Sequence, residues 1–296
     1  MDEIRKQELE QENLSYRKEL QNRKRIVVKI GSSSLLHKTT QRLNYYQIDH
    51  LARELSDLKN QGKDVVLVSS GAAAAGREAL GIDLDIYRQE TRMNIKQACA
   101  AVGQARLIEI YQKFFSEYNQ ASAQVLMTKL TVADGESCRN LINTFEELLS
   151  LNVIPVVNEN DSVATDEFLV GDNDNLSAMV SSVIHADLLI LLSDVDGLYT
   201  DDPRSNRNAR FIDYVPKMTD HLMEFGKSST GSGAGTGGMS TKLHAGRIAT
   251  ASGCDMVIAN ADLGLKIIHD IMAGENIGTL FRADRDPDFH LSDYIF

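Results

Sequence analysis

The sequence has 296 residues, 43% apolar and 25% charged, an ordinary balance for a globular chain long enough to bury a substantial core. A formal net charge of −11, with no basic stripe beyond Arg23-Lys24-Arg25, argues against a nucleic-acid partner. No run of about 18 apolar residues occurs and the charged N-terminus has no signal-peptide core, so no membrane partner is expected; the separated Cys99, Cys138 and Cys254 suit a reducing cytoplasm.

Residues 1–24 are strongly charged and rich in helix formers, with few apolar positions after Met1. They read as a partner-binding helix or as a solvated, partly frayed extension, and the sparse apolar positions favour the second.

From Arg25 to Phe296 a single domain is expected, in which apolar strands alternate with helical patterns. IVVKI is a strand, YQIDHLARELSDLKNQ a helix ending at Gly62, and DVVLVSS a second strand. A helix through AAAAGREAL ends near Gly81, and a long helical region spans roughly 91–118. AQVLMT, a helix over 136–150, the strand VIPVVN, the helix NLSAMVSSVIHA and the buried strand DLLILLS follow. KMTDHLMEFGKSST reads as a helix and a polar loop, and the last group is helix 239–252, strand DMVIA, helix 263–273 and strand GTLF. Such interleaving implies a largely parallel sheet covered on both faces, an αβα sandwich. Any seam between two parts falls around Glu159 to Asp174.

Ligands of open α/β sheets bind at the carboxyl ends of the strands, so polar residues there are the candidates. Lys29, inside an apolar strand, needs a compensating anion or carboxylate if it is buried, and Gly31 with Ser32 to Ser34 beside it suggests a phosphate-contacting turn. Ser70-Gly71 closes a strand and opens a helix, offering N–H groups to an anion, although a plain serine N-cap explains Ser70 almost as well. NENDSVATD, with Asn158 and Asp161, and GDNDN, with Asn173 and Asp174, are dense in Asx residues, which suit either recognition or capping and turns. Ser193-Asp194 follows DLLILLS where a base or ribose would rest, or it begins a simple turn.

GAGTGGMSTK, residues 233–242, is a glycine-dense loop entering a helix, with Lys242 in the first turn. It reads as a phosphate cradle or as a flexible connector. Walker A is excluded because Thr241 precedes Lys242 and Leu243 follows it, and G-x-G-x-x-G is weak without a strand directly before it.

The segments VVKIGSSSL, SSGAAAAGREALG, AAVGQARL, VIPVVNENDSVAT, VGDNDNLSA, LLSDVDGLYTDDPRSN and GTGGMSTKLHA together resemble the amino-acid-kinase family, in family order from about residue 26 to 282. NEND, GDNDNLSA and GTGGMSTK mark its glutamate-phosphorylating branch, whereas K-x-G is shared with aspartate, carbamate and uridylate kinases. The resemblance implies the αβα amino-acid-kinase fold, with about 25–170 binding L-glutamate and about 171–285 binding ATP, and Mg2+ carried with ATP. It implies that Lys29 and Lys242 contact the phosphates and that Asp174 orients them. Ser70, Gly71, Asn158, Asp161 and Asn173 would hold glutamate. Lys29, Ser193, Asp194, Thr236, Gly237, Gly238, Met239, Ser240, Thr241 and Lys242 would line the nucleotide site.

The same resemblance implies transfer to the γ-carboxylate, giving L-glutamyl 5-phosphate at the first step of proline biosynthesis. It further implies feedback inhibition by proline and a homo-oligomer, dimer or tetramer. Three departures stand out: many bacterial members carry a C-terminal PUA domain whereas this sequence stops at Phe296, Ser193 stands where Thr is common, and the first 24 residues lie outside the usual pattern. The alternatives are a kinase of another small carboxylate, such as acetylglutamate or aspartate, and a catalytically silent sensing module.

Overall fold

The apolar runs form strands because they are short, and those of the sheet centre are rich in Val, Ile and Leu and closed by Gly, Ser or Asn. The computed structural model describes residues 3–89, 93–163, 173–225, 238–262 and 266–295. The chain begins with α1 (Glu3–Arg17) and a 3-10 turn (Lys18–Asn22), then β1 (Arg25–Ile30), α2 (Ser32–Leu35), α3 (Tyr45–Asn60) and β2 (Asp64–Ser69). Next come α4 (Ala72–Ala79), α5 (Leu84–Gln89), α6 (Met93–Glu117), β3 (Ser122–Met127), α7 (Lys129–Ala133), α8 (Gly135–Ser150) and β4 (Ile154–Glu159). The second half holds α9 (Asn173–Val183), β5 (Leu188–Ser193), β6 (Leu198–Tyr199), β7 (Phe211–Ile212), β8 (Tyr214–Val215) and α10 (Asp220–Phe225). It closes with α11 (Met239–Ser252), β9 (Asp255–Asn260), α12 (Ile267–Met272), β10 (Thr279–Phe281) and α13 (Ser292–Ile295).

Eight strands form one sheet in the order β3-β4-β2-β1-β5-β9-β10-β8. All its pairings are parallel except β10 against β9. The strand period of two sends alternate side chains to two cores. Ile26, Val28 and Ile30 join Leu67, Ile190 and residues of α3, α6 and α12 on one face. Val27 joins Val66, Leu189 and residues of α8, α9 and α11 on the other. The αβα expectation therefore holds. Among the described residues no helix is long and apolar enough to cross a membrane.

The solvated, frayed extension expected for residues 1–24 is not what forms. Apart from exposed positions such as Ile4, the segment docks: Asn13, Arg17 and Leu20 are buried, and Leu9 and Tyr16 pack on the core. Beside these apolar contacts, much of the anchoring is polar. The Arg17 guanidinium donates to the carbonyls of Asp213, Glu275, Ile277 and Gly278 and to Asn13 Oδ1, while Tyr16 Oη donates to the buried Asp255 carboxylate, which also pairs with Arg23 at 2.7 Å. Hydropathy counts cannot see such contacts. The two-residue strands β6, β7 and β8 were likewise too short to carry a period.

Candidate active site

Lys29 shares its side of β1 with Val27, so it points into the layer holding α9 and α11. There its ammonium group lies 2.6 Å from Asp174 Oδ1, at the first turn of α9. Lys242, in the first turn of α11, lies 3.1 Å from Asp174 Oδ2, and Thr241 Oγ1 donates to the same oxygen at 2.9 Å. All three charged side chains are buried, Asp174 to 2% exposure. Burial alone would raise the Asp174 carboxyl, but Lys29, Lys242 and Thr241 outweigh it and hold the group well below the ordinary carboxylate range. Thus the lysine that the sequence marks as needing a counter-charge has one.

On the opposite side of the same strand ends lies a neutral polar cluster. Asn173 Nδ2 donates to Ser70 Oγ and to Asn158 Oδ1, each at 2.9 Å. Asn158 faces α6, because its neighbour Val157 belongs to the other core, and its Nδ2 donates to Gln104 Oε1 at 2.8 Å. Asn173 Oδ1 is buried with no hydrogen-bond partner among the described residues. Ser70 is not the N-cap of α4, as the simpler alternative would have it. That position belongs to Gly71, whose φ of 105° no bulkier residue adopts comfortably, and no side chain caps the helix. Asp161, just beyond β4, is pushed up to about 6 by burial.

Ser193 and Asp194 end β5, with Ser193 Oγ donating to Asp194 Oδ1 at 3.1 Å. Gly238 stands at the N-cap of α11, and Met239, Ser240 and Thr241 form its first turn with Lys242. Thr236 and Gly237 lie outside the described residues. The structure therefore joins Lys29, Asp174, Thr241 and Lys242 in one cluster and Ser70, Asn158 and Asn173 in another, linked by the adjacent Asn173 and Asp174.

Two residues escaped the sequence reading: Gln104, and Tyr111, whose hydroxyl meets Ser69 Oγ at 2.7 Å. Both sit on α6. Their only sequence signal is a polar group on the core-facing side of a helix, and for Gln104 its place beside Gly103 in AAVGQARL.

Lys29 lies near the carboxyl end of β1 and Lys242 reaches the same point from α11, the edge of an open α/β sheet where ligands commonly bind. Residues 24–260 match the Amino acid kinase family, and the chain belongs to that family. It is 48% identical over 262 residues to the glutamate 5-kinase of Carboxydothermus hydrogenoformans, covering 88% of this chain and 68% of that protein. It is 45% identical over 273 residues to the glutamate 5-kinase of Clostridium perfringens, covering 91% and 99%. Among solved structures, UMP kinase from Ureaplasma parvum aligns with a TM-score of 0.59 at 15% identity, over 88% of this chain and 99% of that one. UMP kinase from Bacillus anthracis aligns with a TM-score of 0.56 at 16% identity, over 90% and 99%. At such identities the UMP kinases establish the fold alone.

Proposed function

We propose that this chain transfers the γ-phosphoryl group of ATP to the γ-carboxylate of L-glutamate, giving L-glutamyl 5-phosphate and ADP at the entry to proline biosynthesis. The observation that carries the reading is the pairing of Lys29 and Lys242 on Asp174, one residue from the Asn173 amide and its buried, unpartnered oxygen. The lysine–carboxylate cluster thus adjoins a neutral polar cluster whose chemistry suits a polar acceptor. The likeness to glutamate 5-kinases supports the choice of acceptor.

The nucleophile needs no general base, since a glutamate carboxylate with a pKa of about 4.3 is ionised at neutral pH. One carboxylate oxygen forms a bond to the γ-phosphorus while the bond to ADP breaks. The obstacle is the approach of two anions. Lys29 and Lys242 would draw the transferring group to one point and stabilise its charge, and Asp174 would hold both ammonium groups in register. Mg2+ carried on ATP would supply further neutralisation. Ser70, Gly71, Asn158, Asp161 and Asn173 are assigned to glutamate, with Asp161 facing its ammonium group. Ser193, Asp194, Gly238 to Lys242, and Thr236 and Gly237, are assigned to the nucleotide.

The proposal extends to feedback by proline, which shares the α-carboxylate and a cationic nitrogen with glutamate, and to a homo-oligomer, dimer or tetramer. A cytoplasmic setting is proposed on three cysteines that are all free thiols. The test is ADP release from Mg-ATP with L-glutamate, with hydroxylamine to trap the acyl phosphate. Glutamate-dependent hydroxamate that disappears in Lys242→Ala is the expected result. Hydroxamate from acetylglutamate or aspartate but not from glutamate would overturn the acceptor.

A further inference from the structure

We propose that Gln104 is a positioning residue for the acceptor substrate: it fixes which atoms of Asn173 and Ser70 are left to pair with a ligand. The inference rests on reading the acceptor as L-glutamate. It begins with the crossing of α4 and α6, where the backbones touch. A Cβ on Gly103 would overlap the Ala72 carbonyl, and one on Gly76 would overlap the Cys99 carbonyl. This close approach sets Gln104, the next residue, beside the end of β4.

A primary amide has one accepting and one donating end, so a chain of amides carries a direction. Gln104 Oε1 accepts from Asn158 Nδ2, which turns Asn158 Oδ1 towards Asn173. Asn173 then spends both hydrogens of its Nδ2, one on Asn158 Oδ1 and one on Ser70 Oγ. What remains is an acceptor, the buried Asn173 Oδ1, and a donor, the Ser70 hydroxyl hydrogen. Such a buried acceptor is unfavourable alone and is relieved by an N–H group from a ligand. An α-amino acid matches the pair, since its ammonium group donates and its carboxylate accepts. The opposite direction would aim an N–H group at the ammonium.

Gln104 does not have to touch substrate for this, so its signature is a change in glutamate KM without a matching change for ATP. Initial rates are measured with glutamate and Mg-ATP varied separately, for wild type, Gln104→Met and Gln104→Glu. Methionine keeps the length without a strong acceptor, whereas glutamate at this position keeps an accepting oxygen for Asn158. Gln104→Met is expected to raise glutamate KM by about tenfold, the effect of losing one oriented hydrogen bond, with ATP KM changed by less than about twofold. Gln104→Glu is expected to stay within about threefold of wild type, because the accepting oxygen is retained.

An unchanged glutamate KM in Gln104→Met overturns the proposal. So does an equal rise in both variants, or a rise for ATP that matches the rise for glutamate. If Gln104→Met fails to fold, Gln104→Glu decides alone: near-wild-type KM supports the direction, and a tenfold rise removes it. A wild-type enzyme without glutamate-dependent turnover removes the substrate reading itself, and the proposal with it.

Discussion

Lys29, in the middle of the sheet, and Asp174, at the start of α9, form a 2.6 Å ion pair with both side chains buried. Removing one partner of such a pair leaves an uncompensated charge and costs about 3–5 kcal/mol. Asp174→Asn is therefore expected to lower stability by that order at pH 7 and kcat by about 10²–10³, as for loss of a preorganised electrostatic group. The pH dependence has a definite sign. The folded carboxyl lies below its unfolded value of about 3.9, so its stabilisation is fully present above about pH 4 and is lost as pH falls further. Urea midpoints between pH 7 and pH 3 should decline less steeply at the acid end in the variant. An equally steep acid decline would assign that limb to other carboxylates.

Asp161 gives a second pH signature, in binding rather than stability. Burial lifts its carboxyl to about 6, so the free enzyme loses that charge as pH falls through 6. If the carboxylate pairs with the substrate ammonium, kcat/KM for glutamate falls below about pH 6, since that ratio reports groups of the free enzyme. The corresponding ratio for ATP should stay flatter. Asp161→Asn should lower the glutamate ratio at pH 7.5 and erase the limb, which a pH–rate series on both proteins would reveal.

The two sides of the site were unequally legible in the sequence. Lys29 stood out because a charge inside IVVKI demands an explanation, although the layer it faces emerged only once Val27 was placed in the α9–α11 core. The glycine-dense approach to Lys242 was equally visible, and α11 begins and ends where its pattern indicates. Gln104 was not visible, because its importance depends on two glycines from different helices touching, a tertiary fact with no periodic trace. Arg17 was hidden for a related reason. It reads as one more charge in a charged helix, and only the carbonyls gathered around it make it a core residue.

The helix crossing that places Gln104 has its own test. A methyl group at Gly103 would meet the Ala72 carbonyl, a rigid backbone atom, so α4 and α6 must move apart. Gly103→Ala is expected to cost about 1–3 kcal/mol, the usual range for overpacking, despite the higher helix propensity of alanine. Glutamate KM should rise more than ATP KM, because Gln104 and Tyr111 ride on the displaced helix, Gln104 holding Asn158 of β4 and Tyr111 holding Ser69 at the end of β2. Gly135→Ala, at the start of α8, is the control, since the nearest atom to its added methyl is the Arg139 side-chain end at 3.6 Å. Urea denaturation and separate KM determinations on both variants would check this. A Gly103→Ala protein as stable as the control would show that the crossing has room.

Arg17 anchors α1 by using every N–H of its guanidinium: Nε on Asn13, Nη1 on Glu275 and Ile277, and Nη2 on Asp213 and Gly278. Burial pushes its pKa down to about 10, which still leaves it charged at neutral pH. Arg17→Met would strip the Ile277 and Gly278 carbonyls of this donor, while those of Asp213 and Glu275 keep the N–H of Leu280 and of Ile277. Each buried orphan costs about 1–3 kcal/mol, so a loss of at least about 2 kcal/mol is expected. Arg17→Lys should recover only part of that, because a single ammonium group cannot match the planar fork. The effect should extend along β10. Thr279, next to Gly278, accepts from Leu198 N and donates to the Ile212 carbonyl, tying β10 to the β6–β7 hairpin beyond Ser193-Asp194. Loosening the anchor should therefore raise ATP KM while leaving glutamate KM near wild type. A urea midpoint unchanged in Arg17→Met would mean that α1 only rests on the sheet, and a rise confined to glutamate KM would place its influence on the other half of the site.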